Sequence, residues 1–524
     1  MNHKLRIMKK YTLAILLLVA LNTNSYAQIS SLQIDELVER TLKTFTVPGI
    51  AVAIVKDGKI IHSKGYGVKS ILTNEKVDAN TLFGIASNSK AFTSAALAML
   101  VDEGKINWDD KVVQYLPNFK MYNEYVTNEF TIRDLLTHRS GLGLGAGDLM
   151  IWPDGSDFTA KDIVQNLQYL RPVSAFRTQY DYDNLLYIVA GEVIQVASGI
   201  SWCDFIEKRI MQPLEMNNSA ASYLRLVDST NIIAPHVPIN GKLKVIKRYQ
   251  NQLFDAAAGI YSSVNDLSKW TIIQLNNGQF GPSNQQLFSK KEHNEMWQLQ
   301  TIIPVNPKPP YNTHFSGYGL GWFLSDVKGY KQVSHTGGLE GIVTQVTLMP
   351  ELNLGIIVLT NQQSGAAFRA ITNTIKDSYL GITSEDYVAT YSASLKTNEA
   401  NADKKTDEVW AAVAKNKKEK RKIDFKTIVG TYTDNWFGDI VLSEKQGKLY
   451  FASKRSPQLS GEVFFYTENN YVVKWNNAYF HADAHLFIEC DASGKAVRLT
   501  MKAISELTDF SYDFHDLDFR LSSK

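Results

Sequence analysis

Ser87-Asn88-Ser89-Lys90 puts a hydroxyl and an amine three residues apart at the start of the apolar run SKAFTSAALAMLV. On a helix that spacing brings both groups to one face. The helix N-terminus adds unpaired N–H groups and partial positive charge. Burial disfavours a charged lysine, so Lys90 is a candidate base for a nucleophilic Ser87. The motif alone is common by composition. A second match, Ser325 to Lys328, precedes Gly329 in a turn-like stretch without a buried helix and is set aside. Tyr182-Asp183-Asn184 immediately precedes another apolar helical run, LLYIVAGEVIQVAS. A tyrosine there can relay protons, and Asn184 can hold Lys90 and a substrate carbonyl, although alone the pair reads as a turn and helix cap. Tyr249-Gln250-Asn251 has the same Y-x-N form in a charged, irregular stretch and ranks below it. His335-Thr336-Gly337-Gly338 ends a strand-like run, where glycines allow close approach of a substrate backbone. An N–H there can join that of Ser87 in an oxyanion hole.

These residues need a frame. Leu32 to Phe45 has helical spacing, and Val47 to Val55 with Ile60 to Val68 reads as a hairpin about Asp57-Gly58. The Ser89 helix is apolar on nearly every side and so belongs in an interior. The middle of the chain mixes helical patterns with long loops, and strands return after Tyr330, around Pro350 to Asn353. Strands at both ends with helices between predict one antiparallel sheet built from both ends and covered by helices. After a charged stretch in which Val409, Trp410 and Val413 suggest one short helix, about eight short alternating runs in about 100 residues predict a small β-barrel or sandwich.

With 524 residues, two folded domains are expected. The net charge of +2 supplies no global field for nucleic acid or an anionic membrane. The basic run from Lys415 to Lys422 reads as a solvated face. Lys4, Arg6, Lys9 and Lys10, the apolar run to Leu21 and the small residues of Ser25-Tyr26-Ala27 predict an export signal. Its apolar core is short for a membrane span, and no stable span is expected after cleavage. Cys203 and Cys490 fall in different predicted domains and read as buried free thiols. His138 and Arg139 read as a helix-ending turn, and His481 and His485 as surface or packing residues, so no metal and no cofactor are predicted. No G-x-S-x-G elbow occurs, which argues against an α/β-hydrolase.

Taken together and in this order, S-x-x-K, Y-x-N and H-T-G resemble the signature of the serine β-lactamase and penicillin-binding superfamily, in its class C and D-Ala-D-Ala carboxypeptidase branch. VPGIAVA at Val47, TIRDLLTHRSGL at Thr131, AAGIYS at Ala257 and Pro350-Glu351 add to the resemblance, which spans roughly Leu32 to Leu380. It implies an α+β domain, an antiparallel sheet flanked by helices with an all-helical lobe. It implies Ser87, Lys90 and Tyr182 as catalytic residues, with Asn184, His335, Thr336, Gly337 and Gly338 binding substrate or forming the oxyanion hole. The departure is His335, where typical β-lactamases carry lysine. A histidine is only partly charged near neutrality, so efficient β-lactam hydrolysis is not expected, whereas peptides, amides and esters remain open. The last hundred residues resemble the lipocalin-like barrel that related archaeal peptidases use to pack subunits around the active site. Oligomerisation, substrate gating and cell-wall binding are its open roles.

The expected organisation is a signal peptide at 1–27, a hydrolase domain at 28–384, a charged, partly helical linker at 385–423 and a C-terminal barrel-like domain at 424–524. The function expected is a periplasmic or secreted serine hydrolase acting through an acyl-enzyme on a small, possibly peptidoglycan-derived, substrate, with no nucleic-acid partner. The competing readings are a non-catalytic peptidoglycan or peptide receptor of the same fold, and a β domain that binds an apolar ligand.

Overall fold

The strand Gly49–Lys56, second from one edge of the main sheet, explains the construction of the hydrolase domain. It pairs antiparallel with Lys59–Gly67 on one side, through a turn in which Asp57 and Gly58 both have positive φ. This is the turn chemistry that suits a tight hairpin. On the other side it pairs with Leu354–Thr360, with Ile50 opposite Thr360. The two ends of the domain therefore meet side by side near one edge of the sheet. Alternation along these strands splits their side chains between two cores. Ile50, Val52, Ile54, Ile356 and Val358 face the helices Ser31–Phe45 and Gly365–Leu380. Ala51, Ala53, Ile357 and Leu359 face the helical lobe.

The computed structural model describes residues 28–383, 385–419 and 425–522. The expected signal peptide at 1–27 lies outside them, as does the last part of the expected linker, 420–423. The sheet has eight strands, and their spatial order continues through Ile342–Met349, Tyr330–Leu339, Phe323–Val327, Ser316–Tyr318 and Thr301–Ile302. All its pairs are antiparallel. At the centre of the helical lobe runs Ser89–Asp102, buried nearly throughout. Phe92 stacks on Trp270 at 4.0 Å, and the helix packs against Leu185–Ser198.

Past the sheet, the chain forms one helix, Tyr387–Lys418, of 32 residues. This replaces the single short helix expected around Val409. Its start packs by Tyr387 and Val388 against the back of the hydrolase domain, and its end packs by Val409 and Val413 against Val472 and Ile504 of the barrel. Between these ends only Ala402 is buried, so the sequence is polar on most sides and lacks the usual stripe.

Eight antiparallel strands from Gly430–Asp434 to Asp518–Leu521 close into a barrel, the first pairing with the last through Tyr432 and Leu521. Phe451, Trp475, Phe514 and Phe519 are buried within it, as expected where eight strands leave room only for side chains. The barrel shares a continuous apolar core with the helical lobe. Arg455 bonds Asp157 and Asp162, and Asn166 donates to Trp436 O, across the junction. The cysteines are unpaired, but neither is fully buried as expected. Cys203 is half-buried and donates to Asp255, while Cys490 is exposed beside a register shift at a strand end. Among the described residues no single helix is long and apolar enough to cross a membrane.

Candidate active site

Ser87 lies in a short 3-10 turn, Ala86–Asn88, that leads into the buried helix. Ala86 has a φ of 50°, a left-handed conformation that costs an alanine about 1–2 kcal/mol. The surroundings hold it there. Asn88 Nδ2 donates to Ile85 O at 3.1 Å and to Thr344 Oγ1 at 2.9 Å, and Thr344 Oγ1 donates to Ile85 O. Strain retained in such a turn is a recurrent feature of functional sites. The His335-Gly338 strand crosses this turn so closely that a Cβ on Gly337 would clash with the Ile85 carbonyl, which accounts for that glycine. At Gly338 a Cβ would meet nothing within 4 Å. The neighbouring strand pairs only as far as Ser334, so it leaves the outer edge from His335 to Leu339 uncovered. Thr336 and Gly338 are exposed, whereas His335 and Gly337 are buried.

Lys90 is fully buried, and its Nζ has three partners: Ser87 Oγ at 3.1 Å, Asn184 Oδ1 at 2.8 Å and Ala257 O at 3.1 Å. Two of these are carbonyl oxygens, which only accept. A neutral amine has two hydrogens and one lone pair. With the hydrogens on Asn184 and Ala257, the lone pair is left facing the Ser87 hydroxyl. Burial pulls the Lys90 ammonium down to about 7, against the opposing pull of Asp148 and Asp183. The amine is thus both aimed at Ser87 and available near neutral pH.

Tyr182 completes the group. Its ring centroid is 4.8 Å from Lys90 Nζ, and Ser87 lies near enough to its hydroxyl to favour the ionised form. Burial nevertheless raises its pKa well above the ordinary phenol value, so it is a neutral phenol at rest. The Thr131 to Leu142 stretch explains its placement. Thr131 and Asp134 form a capping box on the four-residue helix Ile132–Leu135. The fully buried Asp134 then accepts from Arg139 and Arg177. His138 follows with positive φ, accepts the Asp183 N–H on Nδ1 at 3.1 Å and packs its ring 4.2 Å from that of Tyr182. Its burial lowers its pKa well below the usual histidine value. This histidine, read from sequence as a turn, supports the tyrosine.

Asn184 bridges Lys90 to a residue that pattern reading missed. Its Nδ2 donates to Asp148 Oδ2 at 2.7 Å, and Asp148 is fully buried, with a pKa raised well above the carboxylate range by burial and by Asp183. Ser511 Oγ of the barrel donates to the same oxygen at 2.9 Å. Burial lifts Asp183 to about 7, and its Oδ1 accepts the Leu185 N–H that opens the next helix.

His335 lies in the site without the partial charge expected of it. Burial, followed by Lys90, lowers it to about 3. Nδ1 bonds its neighbour's carbonyl, Thr336 O, at 2.6 Å, so Nε2 accepts from the Tyr318 hydroxyl at 2.9 Å. The second S-x-x-K, Ser325 to Lys328, is in a strand and its turn, and Tyr249 is buried against Trp152, so neither rejected motif joins the site. His481 bonds Pro238 O between the domains. Among the described residues, one cluster could hold a cation, Asp513, His515 and Asp516, at the base of a barrel loop. A cavity of about 610 Å³ lies between Arg171 and Trp436, remote from Ser87, and the geometry about Lys90 locates the chemistry better than that cavity's size.

Residues 34–380 match the family model described as Beta-lactamase. The chain belongs to the beta-lactamase family. Residues 414–520, the barrel with the end of the long helix, match a domain of unknown function, DUF3471. The beta-lactamase-family chain is 32% identical over 342 residues to the unguisins hydrolase ungD' of Aspergillus campestris, covering 62% of this chain and 60% of that protein. It is 28% identical over 347 residues to protein flp of Staphylococcus aureus, covering 64% of each. The chain thus spans less than two thirds of these relatives' length. The octameric penicillin-binding protein homologue from Pyrococcus abyssi has the same fold, with a TM-score of 0.60 at 21% identity, over 92% of this chain and 99% of that one.

Proposed function

We propose that this protein is an exported serine hydrolase that cleaves peptide, amide or ester bonds through an acyl-enzyme on Ser87. The observation that carries the reading is the aim of Lys90, whose two carbonyl partners direct its lone pair at Ser87 Oγ from 3.1 Å. In this reading Lys90 takes the Ser87 proton as Oγ attacks the substrate carbonyl. The Ser87 and Gly338 N–H groups receive the oxyanion. Tyr182, a neutral phenol beside Lys90 and Ser87, donates its proton to the leaving group and recovers one from Lys90. Water then releases the acyl group by the reverse sequence of proton transfers. His335 is neutral, so the strand lacks the fixed cation that a lysine there gives typical β-lactamases, and ester or peptide turnover exceeds nitrocefin turnover.

A relative whose name includes "hydrolase" and membership of a family of hydrolases agree with catalysis rather than with a receptor role. The octameric state belongs to the Pyrococcus neighbour; assembly of this chain through its barrel is part of the proposal, and light scattering on the purified protein decides it. Export is proposed from the signal-like residues before Gln28, with a mature N-terminus at Gln28 as the expected result of sequencing the exported form. The central test is fluorophosphonate labelling followed by peptide mass spectrometry. The label is expected on Ser87 and absent from Ser87→Ala and Lys90→Ala. An unlabelled wild-type protein that still binds peptidoglycan fragments overturns the proposal in favour of the receptor.

A further inference from the structure

The barrel strands Ala496–Ala503 and Asp518–Leu521 are joined by a segment that leaves the barrel and enters the hydrolase domain. Its far end is rooted in the barrel, where Phe514 is buried and stacks on Trp475 at 5.5 Å. Before that root, consecutive side chains reach the parts of the active site. Asp513 Oδ2 accepts the Gly147 N–H at 2.6 Å. Tyr512 donates to Glu340, two residues beyond Gly338. Ser511 donates to Asp148. Phe510 sets its ring edge-on to Tyr182, with centroids 5.8 Å apart at 78°.

The hydrolase domain is shaped to receive this segment. A Cβ on Gly145 would stand 2.7 Å from the Phe510 ring, and the Gly145 N–H donates to Tyr182 O at 2.8 Å. The residue that makes room for Phe510 therefore also holds the backbone of the candidate proton donor. Phe510 nevertheless remains 39% exposed, and Leu144 beside Gly145 and Val173 against Gly143 are exposed as well. An unburied phenyl edge beside the phenol that packs against Lys90 is a surface that a bound substrate can cover.

We propose that this barrel segment is a working wall of the active site: Phe510 is a specificity-determining residue that favours substrates with an apolar group beside the scissile bond, and Ser511 is a positioning residue for Lys90. The inference rests on the serine-hydrolase reading and gives the barrel a role within it. The path from Ser511 is continuous. Its hydroxyl and Asn184 Nδ2 share one oxygen of Asp148, and Asn184 Oδ1 takes one hydrogen of Lys90. Asp148 Oδ1 has no hydrogen-bond partner and Oδ2 is shared by Asn184 and Ser511, so Ser511 is the barrel's hold on that carboxylate. Without it the Asn184 amide loses its fixed orientation, and the Lys90 lone pair its aim.

The test uses the full-length protein and four variants, with melting temperatures recorded for each. Phe510→Ala is expected to lower the ratio of kcat/KM for p-nitrophenyl butyrate over p-nitrophenyl acetate about tenfold, the scale of an apolar contact in a substrate pocket. Phe510→Leu is expected to recover most of that ratio. Ser511→Ala is expected to slow fluorophosphonate labelling of Ser87 about tenfold with KM moving less than kcat, and Ser511→Thr, which restores the hydroxyl, to regain most of the rate. A butyrate-to-acetate ratio within twofold of the parent in Phe510→Ala overturns the specificity role. A Ser511→Thr variant that melts like the parent yet labels as slowly as Ser511→Ala overturns the positioning role. A parent that neither labels nor turns over any ester removes the serine-hydrolase reading itself, and this inference with it.

Discussion

The acidity of Lys90 makes the sharpest prediction. Desolvation brings it to about 7. At pH 8 an ordinary lysine is neutral in about one molecule in 300, whereas one with a pKa near 7 is neutral in about nine of ten. The difference in available base is therefore more than a hundredfold at the pH of a standard assay. The acylation step, read as kcat/KM for p-nitrophenyl acetate or as the rate of fluorophosphonate labelling, should climb about tenfold per pH unit from pH 5 to 6 and level off above roughly pH 7.5. His138 and His335 cannot produce this limb, because burial holds both well below it. Tyr182 lies on the far side, raised by burial. Asp183 also reaches about 7, so Asp183→Asn supplies the control: the limb should persist in that variant and vanish in Lys90→Arg, whose guanidinium does not deprotonate in this range. A profile flat from pH 5 to 8, or a limb that Asp183→Asn abolishes, refutes the assignment of Lys90 as the base.

Three further outcomes follow from the same geometry. Lys90→Met should abolish turnover yet melt at a higher temperature. A lysine whose folded pKa lies below its unfolded one favours unfolding at pH values under about 10.5, most strongly below 7, and removing it restores up to a few kcal/mol; an unchanged or lower melting temperature at pH 7 contradicts the burial cost. Gly337→Ala should lower the melting temperature and Ser87 labelling together, since its Cβ meets the Ile85 carbonyl, whereas Gly338→Ala should leave stability unaltered, and equal effects would refute this account of the strand crossing. Asp134→Ala should cost about 3–5 kcal/mol in urea unfolding, because it strands Arg139 and Arg177 without their buried carboxylate; a loss under 1 kcal/mol would show that the turn beneath Tyr182 is held by other contacts.

What the sequence made legible, and what it hid, divides along a physical line. The hairpin at Asp57-Gly58, the buried Ser89 helix and the eight short strands are visible because each is specified by its own residues: turn chemistry, all-round apolarity, alternation. The site triad is visible because S-x-x-K, Y-x-N and H-T-G each pack their chemistry into four residues or fewer. Asp148 is hidden because a carboxylate in a glycine-rich loop looks solvated until folding buries it. Phe510 and Ser511 are hidden for the same reason at longer range, since nothing local to Asp509-Phe510-Ser511 indicates that a barrel connection crosses into another domain. The long helix from Tyr387 is hidden because it is packed mainly at its ends, with only Ala402 buried between, so periodicity fails where burial fails.

The charge balance of the site narrows the chemistry it can recognise. Three nitrogen bases, Lys90, His138 and His335, lie close enough that a charged Lys90 lowers both histidines. Asp148 and Asp183 oppose them, yet burial raises both acids as well. Each group thus approaches neutrality because ionising any one of them in this dry interior is costly. A site built this way offers a substrate little fixed charge from the Lys90 cluster, and it meets it with a phenol, an amide, strand N–H groups and the half-exposed phenyl of Phe510. Substrates bound by an uncharged carbonyl and an apolar neighbour fit that surface. Lengthening the acyl chain of an ester should therefore raise kcat/KM with little dependence on salt, whereas adding a carboxylate beside the scissile bond should lower it. If the carboxylated ester were instead the better substrate, with its advantage lost in high salt, a fixed cation would have to act at Ser87 and the neutral-site argument would fail.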